Sequence, residues 1–287
     1  MPDMVVSVVG LGLIGGSMAL DLKKGKLFSK VLGVDNNKKH ADQALRLDLV
    51  NEITTLGQAT KISDLIILAV PVDVAKIVVI EILNHKNCPV VMDVGSTKVG
   101  ILDVVKDHIN RGKFVATHPM SGTENSGPEA AIPGLFRDNL AIICDIEQSD
   151  RASIKLVMNV YNELSAITTT MDQEEHDASA AYVSHISHIS SFALALTVLQ
   201  TEKDKNNIQK MASGGFRTTA RLANSNASTW APILLENKKN VIDVLDGYVA
   251  YMNQMKAAIQ NEDRKAIEKL MAKANRVKDI INPITIG

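Results

Sequence analysis

The sequence predicts an α/β chain in which a doubly wound sheet occupies residues 1–170 and an all-helical domain follows over residues 171–287. Three observations carry that expectation. Short apolar runs alternate with longer helical patterns through the first part of the chain. Several of these runs are apolar on both faces, as parallel strands covered by helices on either side must be. Beyond Met171 the strand-like runs stop and almost everything has helical spacing.

The predicted strands, in order, are VVSVVG (Val5–Gly10), VLGVD (Val31–Asp35), DLIILAVP (Asp64–Pro71), PVVMDVG (Pro89–Gly95), FVATHP (Phe114–Pro119) and LAIICD (Leu140–Asp145), with AITTTM (Ala166–Met171) as a last one. Such alternation with helices reads as a doubly wound sheet. Asp172 followed by Glu175 resembles a helix N-terminal cap pair, opening a helix expected to reach about Thr201. A second helix, Asn237–Gln260, places Val241, Leu245, Tyr248, Met252, Met255 and Ile259 three or four residues apart. A third, Asp263–Ile281, continues with Ile267, Leu270, Ala274, Val277 and Ile281. Long helices with broad apolar faces need a surface to pack on. A homodimer through these C-terminal helices is therefore expected.

The totals exclude several classes. With 287 residues, 46% hydrophobic, 22% charged and a net charge of -1, the chain has no basic excess to hold a phosphate backbone, so no nucleic-acid partner is expected. The opening MPDMVVSVVG shows no cationic leader, so no cleaved signal peptide is expected. Val183–Leu199, the most apolar long segment, is broken by two histidines and several serines, so no membrane association is expected. Cys88 and Cys144 stand far apart without a CxxC, as suits small buried hydrophobes in a reduced cytoplasm.

The first strand runs into GLGLIGGS, placing Gly10, Gly12 and Gly15 in the spacing GxGxxG. The first glycine permits a tight turn, the second lets the backbone approach a pyrophosphate, and the third lets helix and strand pack closely. Asp35 follows Gly15 by 20 residues at the end of the second strand. That context marks a Rossmann-type dinucleotide site. A carboxylate at Asp35 suits the ribose hydroxyls of NAD and repels the 2′-phosphate of NADP, although nearby Lys38 and Lys39 leave NADP open. NAD is the expected cofactor. Leu13 and Ile14 within the glycine turn, with Val70, Pro71 and Gly95 at later strand ends, complete the expected cofactor set.

Ligands of an open parallel sheet bind beyond the carboxyl ends of its strands. AVPVD (Ala69–Asp73), DVGSTK (Asp93–Lys98) and THPMSGTE (Thr117–Glu124) fall there. His118, with Ser96 one unit earlier and Glu124 in the same loop, suits the acceptance of a proton from a substrate hydroxyl as hydride leaves the same carbon. Glu124 is expected to orient it or to gate the site; the bland alternative is a strand-capping histidine. On the long helix, Ala181, Ser184, His188, Ser191 and Ala195 share a small and polar stripe, with Ile186, Ile189 and Ala193 opposite. This stripe suggests a polar cleft, although satisfied core histidines would look the same. HxxH without a third ligand is weak evidence for zinc, and no metal is expected. In ASGGFRTTARLANSNASTW (Ala212–Trp230), Arg217 and Arg221 are four apart, and an arginine fork suits a carboxylate, with surface ion pairing as the alternative.

GLGLIGGS, DVGSTK, HPMSGTE, SHISH followed by FALAL, and GGFRTTARLANSNASTW, in this order, resemble the prephenate and arogenate dehydrogenases of tyrosine biosynthesis over about residues 4–280. The resemblance implies a Rossmann domain before a helical dimerisation domain, and oxidative decarboxylation of prephenate to 4-hydroxyphenylpyruvate. It further implies that His118 deprotonates the ring hydroxyl beside Ser96, and that Glu124 gates. Ser184, His188 and Gly214 would line the substrate pocket, Arg221 would bind a substrate carboxylate, and Trp230 would reach the partner subunit's site. Many relatives carry FRDxTR, whereas Thr218 stands here in place of the aspartate, which leaves prephenate against arogenate open. The chain ends near the last helix, so no extra regulatory domain or fused mutase is expected. Two other readings compete. One is a β-hydroxyacid or imine-reducing dehydrogenase, which would want a lysine on the long helix; the other is a dinucleotide-binding redox sensor, which would need no arranged His118, Glu124 and Arg221.

Overall fold

The computed structural model describes residues 4–200 and 211–281. Its eight strands are β1 (Val5–Val9), β2 (Lys30–Val34), β3 (Glu52–Ile53), β4 (Leu65–Leu68), β5 (Val90–Asp93), β6 (Phe114–Pro119), β7 (Leu140–Cys144) and β8 (Ile167–Met171). They form one sheet in the order β3-β2-β1-β4-β5-β6-β7-β8. The helices between them are α1 (Leu13–Lys24), α2 (Lys38–Arg46), α3 (Leu56–Ile62), α4 (Val72–Leu83), α5 (Val99–Val105) and α6 (Arg151–Glu163). Two cores result, one on each face. Val6 and Val8 of β1 join Met92, Val115 and Tyr161 on one side, while Val9 joins Ile66, Leu68, Val91 and Phe114 on the other. Burial on both faces is why these strands read as continuous apolar runs.

Two features depart from the sequence reading. β3 is a two-residue edge strand, too short to leave an apolar run. β7 pairs antiparallel to β6, with His118 opposite Ile142, and β8 then runs parallel to β7. The segment between β6 and β7 contains only a short 3₁₀ turn, Pro128–Ala130, and no crossover helix. An antiparallel neighbour needs no such crossover.

The long helix after β8 is also not uniform. It comprises α7 (Gln173–Ala180), a π-helical turn (Ala181–His185) and α8 (Ile186–Gln200); Thr201, its expected end, lies outside the described residues. Asp172 caps α7 by accepting the N–H groups of Glu174 (2.8 Å) and Glu175 (3.1 Å). After the masked stretch come α9 (Gly214–Ala220), a 3₁₀ turn (Arg221–Asn224) and α10 (Ala227–Glu236). By packing, the chain separates into two compact units, Met1–Lys238 and Lys239–Gly287. The second contains most of α11 (Lys238–Gln260), α12 (Arg264–Ala274) and α13 (Lys278–Ile281). Tyr248, Met252 and Ile259, expected on the apolar face of α11, stay exposed in the single chain.

Candidate active site

The glycine turn closes as the spacing requires. Gly10 has φ +92° and donates its N–H to Val34 O (2.8 Å), and a Cβ there would overlap the Ala69 carbonyl beside Val70. Gly12 is different: nothing stands within 4 Å of the Cβ it lacks. It is also the N-cap of α1, where no side chain caps the helix and the first turn holds no acidic residue. An open cradle before uncapped main-chain N–H groups fits a pyrophosphate. Leu13 is buried and Ile14 packs against the core, so this pair can offer the cradle only main-chain N–H groups.

Asp35 follows β2 with its side chain 8% exposed. Its oxygens accept the N–H of Leu11 in the glycine turn (2.9 Å) and of Asn37 (2.8 Å), with His40 Nδ1 at 3.8 Å. These bonds brace the turn and aim the carboxylate across it, and each oxygen keeps a lone pair for a ribose hydroxyl. Pro71 is the N-cap of α4 after β4, and Gly95 donates its N–H to Asp93 Oδ2 (3.0 Å) just after β5.

Beneath the next two strand ends lies a polar floor that the sequence reading missed. Lys98 and Asp93 are fully buried and paired, and Lys98 Nζ also donates to Thr117 O (2.7 Å). The Thr117 N–H donates to Asp93 Oδ1 (3.1 Å), and the Thr117 and Tyr161 hydroxyls are 2.6 Å apart. Paired and hydrogen-bonded, this charge is tolerable in the core. It ties β5 to β6 immediately before His118. Ser96 is half-buried three residues beyond Asp93, which is in register with Ala116, so Ser96 and His118 emerge at neighbouring strand ends.

His118 is not oriented by Glu124. Its Nδ1 lies 2.8 Å from His176 Nε2, and His176 Nδ1 lies 2.8 Å from Asp177 Oδ1, all on α7 beyond β8. Burial first, then His176, Lys98 and His185 nearby, hold the His118 imidazole well below the ordinary histidine range, so it is neutral at pH 7. Glu124 instead pairs with Arg221. With the glutamate 24% exposed and the arginine 49%, solvent screens the pair and leaves it weak. The separation has a simple cause: Glu124 lies in the loop after β6, whereas α7 delivers an imidazole directly to the strand end. His176 and Asp177 left one legible signal, a His-Asp dipeptide one turn into the helix that follows the last strand.

The helix stripe converges on the same site. His188 Nδ1 donates to Ser184 O (3.1 Å), and Trp230 stacks on the His188 ring at 3.4 Å between centroids and 22°. Trp230 thus packs on His188 within its own chain. Burial and the Arg221 charge lower the His188 pKa against the opposing Ser184 carbonyl, and burial pushes His185 down to about 4. His185, in the π turn, is met by Asn237 Nδ2 at 3.2 Å. Gly214 opens α9 exposed, and Thr218 turns its hydroxyl back on the Gly214 carbonyl (2.9 Å). Among the described residues no cluster of three metal-ligating side chains occurs.

Removing hydride from a carbon that bears a hydroxyl takes a dinucleotide and a base at one sheet edge, and this chain brings both to the carboxyl ends of β1–β6. It is a dinucleotide-dependent dehydrogenase of the Rossmann type. Comparison with known proteins narrows that class. The prephenate dehydrogenase nucleotide-binding domain matches residues 18–170 and the prephenate dehydrogenase dimerization domain matches residues 172–273. The chain belongs to the prephenate dehydrogenase family. It is 30% identical over 279 residues to the prephenate dehydrogenase of Bacillus subtilis, covering 96% of this chain and 75% of that one. Against the cyclohexadienyl dehydrogenase of Zymomonas mobilis it is 30% identical over 261 residues, covering 90% and 89%. Among solved structures, the prephenate dehydrogenase of A. aeolicus in complex with hydroxyphenyl propionate and NAD+ matches at a TM-score of 0.87 and 26% identity, over 98% of this chain and 99% of that one.

Proposed function

We propose that the protein oxidises prephenate to 4-hydroxyphenylpyruvate with NAD, supplying tyrosine biosynthesis in the cytoplasm. The observation that carries this reading is His118 at the end of β6, held 2.8 Å from His176 at the same carboxyl edge of the sheet as the glycine turn after β1. NAD, when bound, accepts the hydride from the ring carbon that bears the hydroxyl. His118 takes the hydroxyl proton, the bond to the ring carboxylate breaks with its electron pair passing into the ring, carbon dioxide leaves as the ring becomes aromatic, and the proton returns from His118 to the ring oxygen. Because aromatisation drives the chemistry, the side chains chiefly orient the substrate, place charge and remove the first proton.

The remaining roles follow from position. Ser96 stands beside His118 as a second polar group for the hydroxyl. Arg221 exchanges Glu124 for a substrate carboxylate, and Glu124 swings as the gate. Ser184, His188, Gly214 and Trp230 wall the ring pocket. Gly10, Gly12, Gly15, Asp35, Val70, Pro71 and Gly95, with the main chain of Leu13 and Ile14, hold the cofactor. We place the functional division near residue 170, between the nucleotide-binding half and a helical half that carries the pocket and, through the uncovered faces of its last helices, a homodimer contact. The stretch Gln173–Gln200 is long and apolar enough to cross a membrane by length and composition, with a mean hydropathy of 1.3. Its polar stripe is spent on the site, which favours a subunit contact for the apolar remainder.

The test is to supply purified protein with prephenate and NAD and follow absorbance of the reduced cofactor, with arogenate and NADP run beside them. Turnover of arogenate alone would move the substrate to the amino acid; no turnover of either ring would remove the proposal. His118→Asn is expected to lower turnover by roughly 10²-fold or more, with cofactor binding intact.

A further inference from the structure

Hydrogen bonds link His118, His176 and Asp177 in one chain. Asp177 accepts the Lys98 N–H at Oδ1 (2.8 Å) and the Val99 N–H at Oδ2 (3.0 Å), main-chain donors fixed at the start of α5. With both oxygens accepting, the contact from His176 Nδ1 to Oδ1 requires the imidazole to donate. His176 is 1% exposed and Asp177 2%. With Nδ1–H given to Asp177, the opposite nitrogen Nε2 is left to accept through its lone pair. The 2.8 Å contact from that nitrogen to His118 Nδ1 therefore takes its proton from His118. Asn237 closes the assembly from outside, donating from Nδ2 to the Asp177 carbonyl (2.6 Å).

We propose that His176 and Asp177 are positioning residues that hold the proton of His118 on Nδ1 and so reserve Nε2 as the nitrogen that receives the substrate's hydroxyl proton. The substrate half of this statement rests on the dehydrogenase reading; the tautomer half does not. When Nε2 is protonated, the new positive charge on His118 is stabilised through Nδ1–H by the His176 lone pair, which Asp177 in turn polarises. The proton rests on His118 Nε2 while hydride and carbon dioxide leave, and returns to the ring oxygen as the phenol forms, which restores the neutral imidazole and closes the balance. The second partner also sets the plane of the His118 ring, which a lone strand-end histidine would leave free to rotate. The charged and titratable groups surrounding His118 are His176 and Asp177 from α7, His185 from the π turn, and Lys98 with Asp93 below.

The test compares wild type, His176→Leu and His176→Gln. Leucine removes the acceptor, whereas glutamine presents an amide oxygen and an amide N–H about as far apart as the two imidazole nitrogens. Nitrogen-15 spectra of labelled histidines on the substrate-free protein are expected to show His118 protonated at Nδ1 in wild type and in His176→Gln, and a shift toward the Nε2–H form in His176→Leu. With substrate, kcat is expected to fall by roughly 10²-fold or more in the leucine variant, KM to stay near wild type, and glutamine to restore most of the loss. An Nε2–H resonance for His118 in wild type, or an unchanged kcat in the leucine variant, would overturn the proposal. If His176→Leu does not fold, the wild-type spectrum and His176→Gln still decide it. Failure of prephenate turnover with the Nδ1–H form present would count against the substrate reading and leave the tautomer assignment standing.

Discussion

Two of the fingerprint glycines do different jobs, and an alanine at each separates them. A Cβ on Gly15 would overlap the Gly10 carbonyl oxygen and stand 2.9 Å from Ala69 Cβ and 3.0 Å from Val8 Cγ1. None of these neighbours can retreat cheaply. Gly10 and Ala69 are pinned by the bonds Gly10 N–H to Val34 O and Ala69 N–H to Val9 O, each 2.8 Å, and Val8 is fully buried. Overpacking of this kind costs about 3 kcal/mol. In a unit of this size that lowers Tm by about 6–12 °C, taking 2–4 °C per kcal/mol. Gly12→Ala meets nothing within 4 Å, so only the poorer N-cap is felt, about 1 kcal/mol or less. Its methyl does project into the cradle, and NAD affinity is expected to fall at least tenfold, about 1.4 kcal/mol. Thermal melts and calorimetric titration with NAD, run on both variants, read the two effects separately. A Gly15→Ala protein as stable as wild type, or a Gly12→Ala protein that binds NAD normally, would refute the assignment of packing to one glycine and phosphate approach to the other.

Four further outcomes are expected. His118, His185 and His188 all have folded pKa values below the usual 6.5, so below that pH the unfolded chain binds protons that the native one does not. Stability is therefore full above about pH 6.5 and is lost as pH falls toward 4, His185 alone contributing on the order of 3 kcal/mol. Denaturant melts between pH 7 and 5 check the sign, before the carboxyls of half-buried Asp21 and buried Asp145, shifted upward by desolvation, begin to act in the opposite direction. Glu124→Gln should leave Tm close to that of wild type, since an exposed pair contributes little, and should change KM for the substrate. Arg221→Ala should weaken substrate binding with NAD affinity unchanged, and an unaltered KM would remove it from the carboxylate role. Charge placed on the uncovered face of α11, as in Met252→Glu with Ile259→Lys, should convert a dimer to monomers in light scattering; wild-type mass in the double variant would move the contact elsewhere.

Much of the architecture was legible because burial on two faces writes itself as uninterrupted apolar runs. The strand ends near Gly10, Asp35, Gly95 and Pro119 follow from them, and so does the cofactor cradle. The direction of β7 did not, since LAIICD is equally apolar whichever way it runs and only the absence of a helix between it and β6 betrays the reversal. The π turn at Ala181–His185 was hidden for a related reason: one extra residue in a turn leaves no mark on a sequence whose stripe is made of small groups. Within the site, His118 and the Ser184–His188 stripe stood out by residue type against apolar surroundings. His176, Asp177 and Lys98 did not, because their meaning lies in contacts between β6, α5 and α7 that are distant in sequence. Glu124 was found and read as orienting His118 or gating the site; its pairing with Arg221, 97 residues away, left no mark in the sequence.

The measurement that reaches the centre of the account is the balance of one complete turnover. Prephenate labelled in its ring carboxyl group is incubated with the protein and NAD, and reduced cofactor and labelled carbon dioxide are counted together. Equal amounts of the two, with 4-hydroxyphenylpyruvate as the ring product, are predicted for wild type, and neither above background for His118→Asn. Reduced cofactor without carbon dioxide, or wild-type quantities of both from His118→Asn, would contradict it.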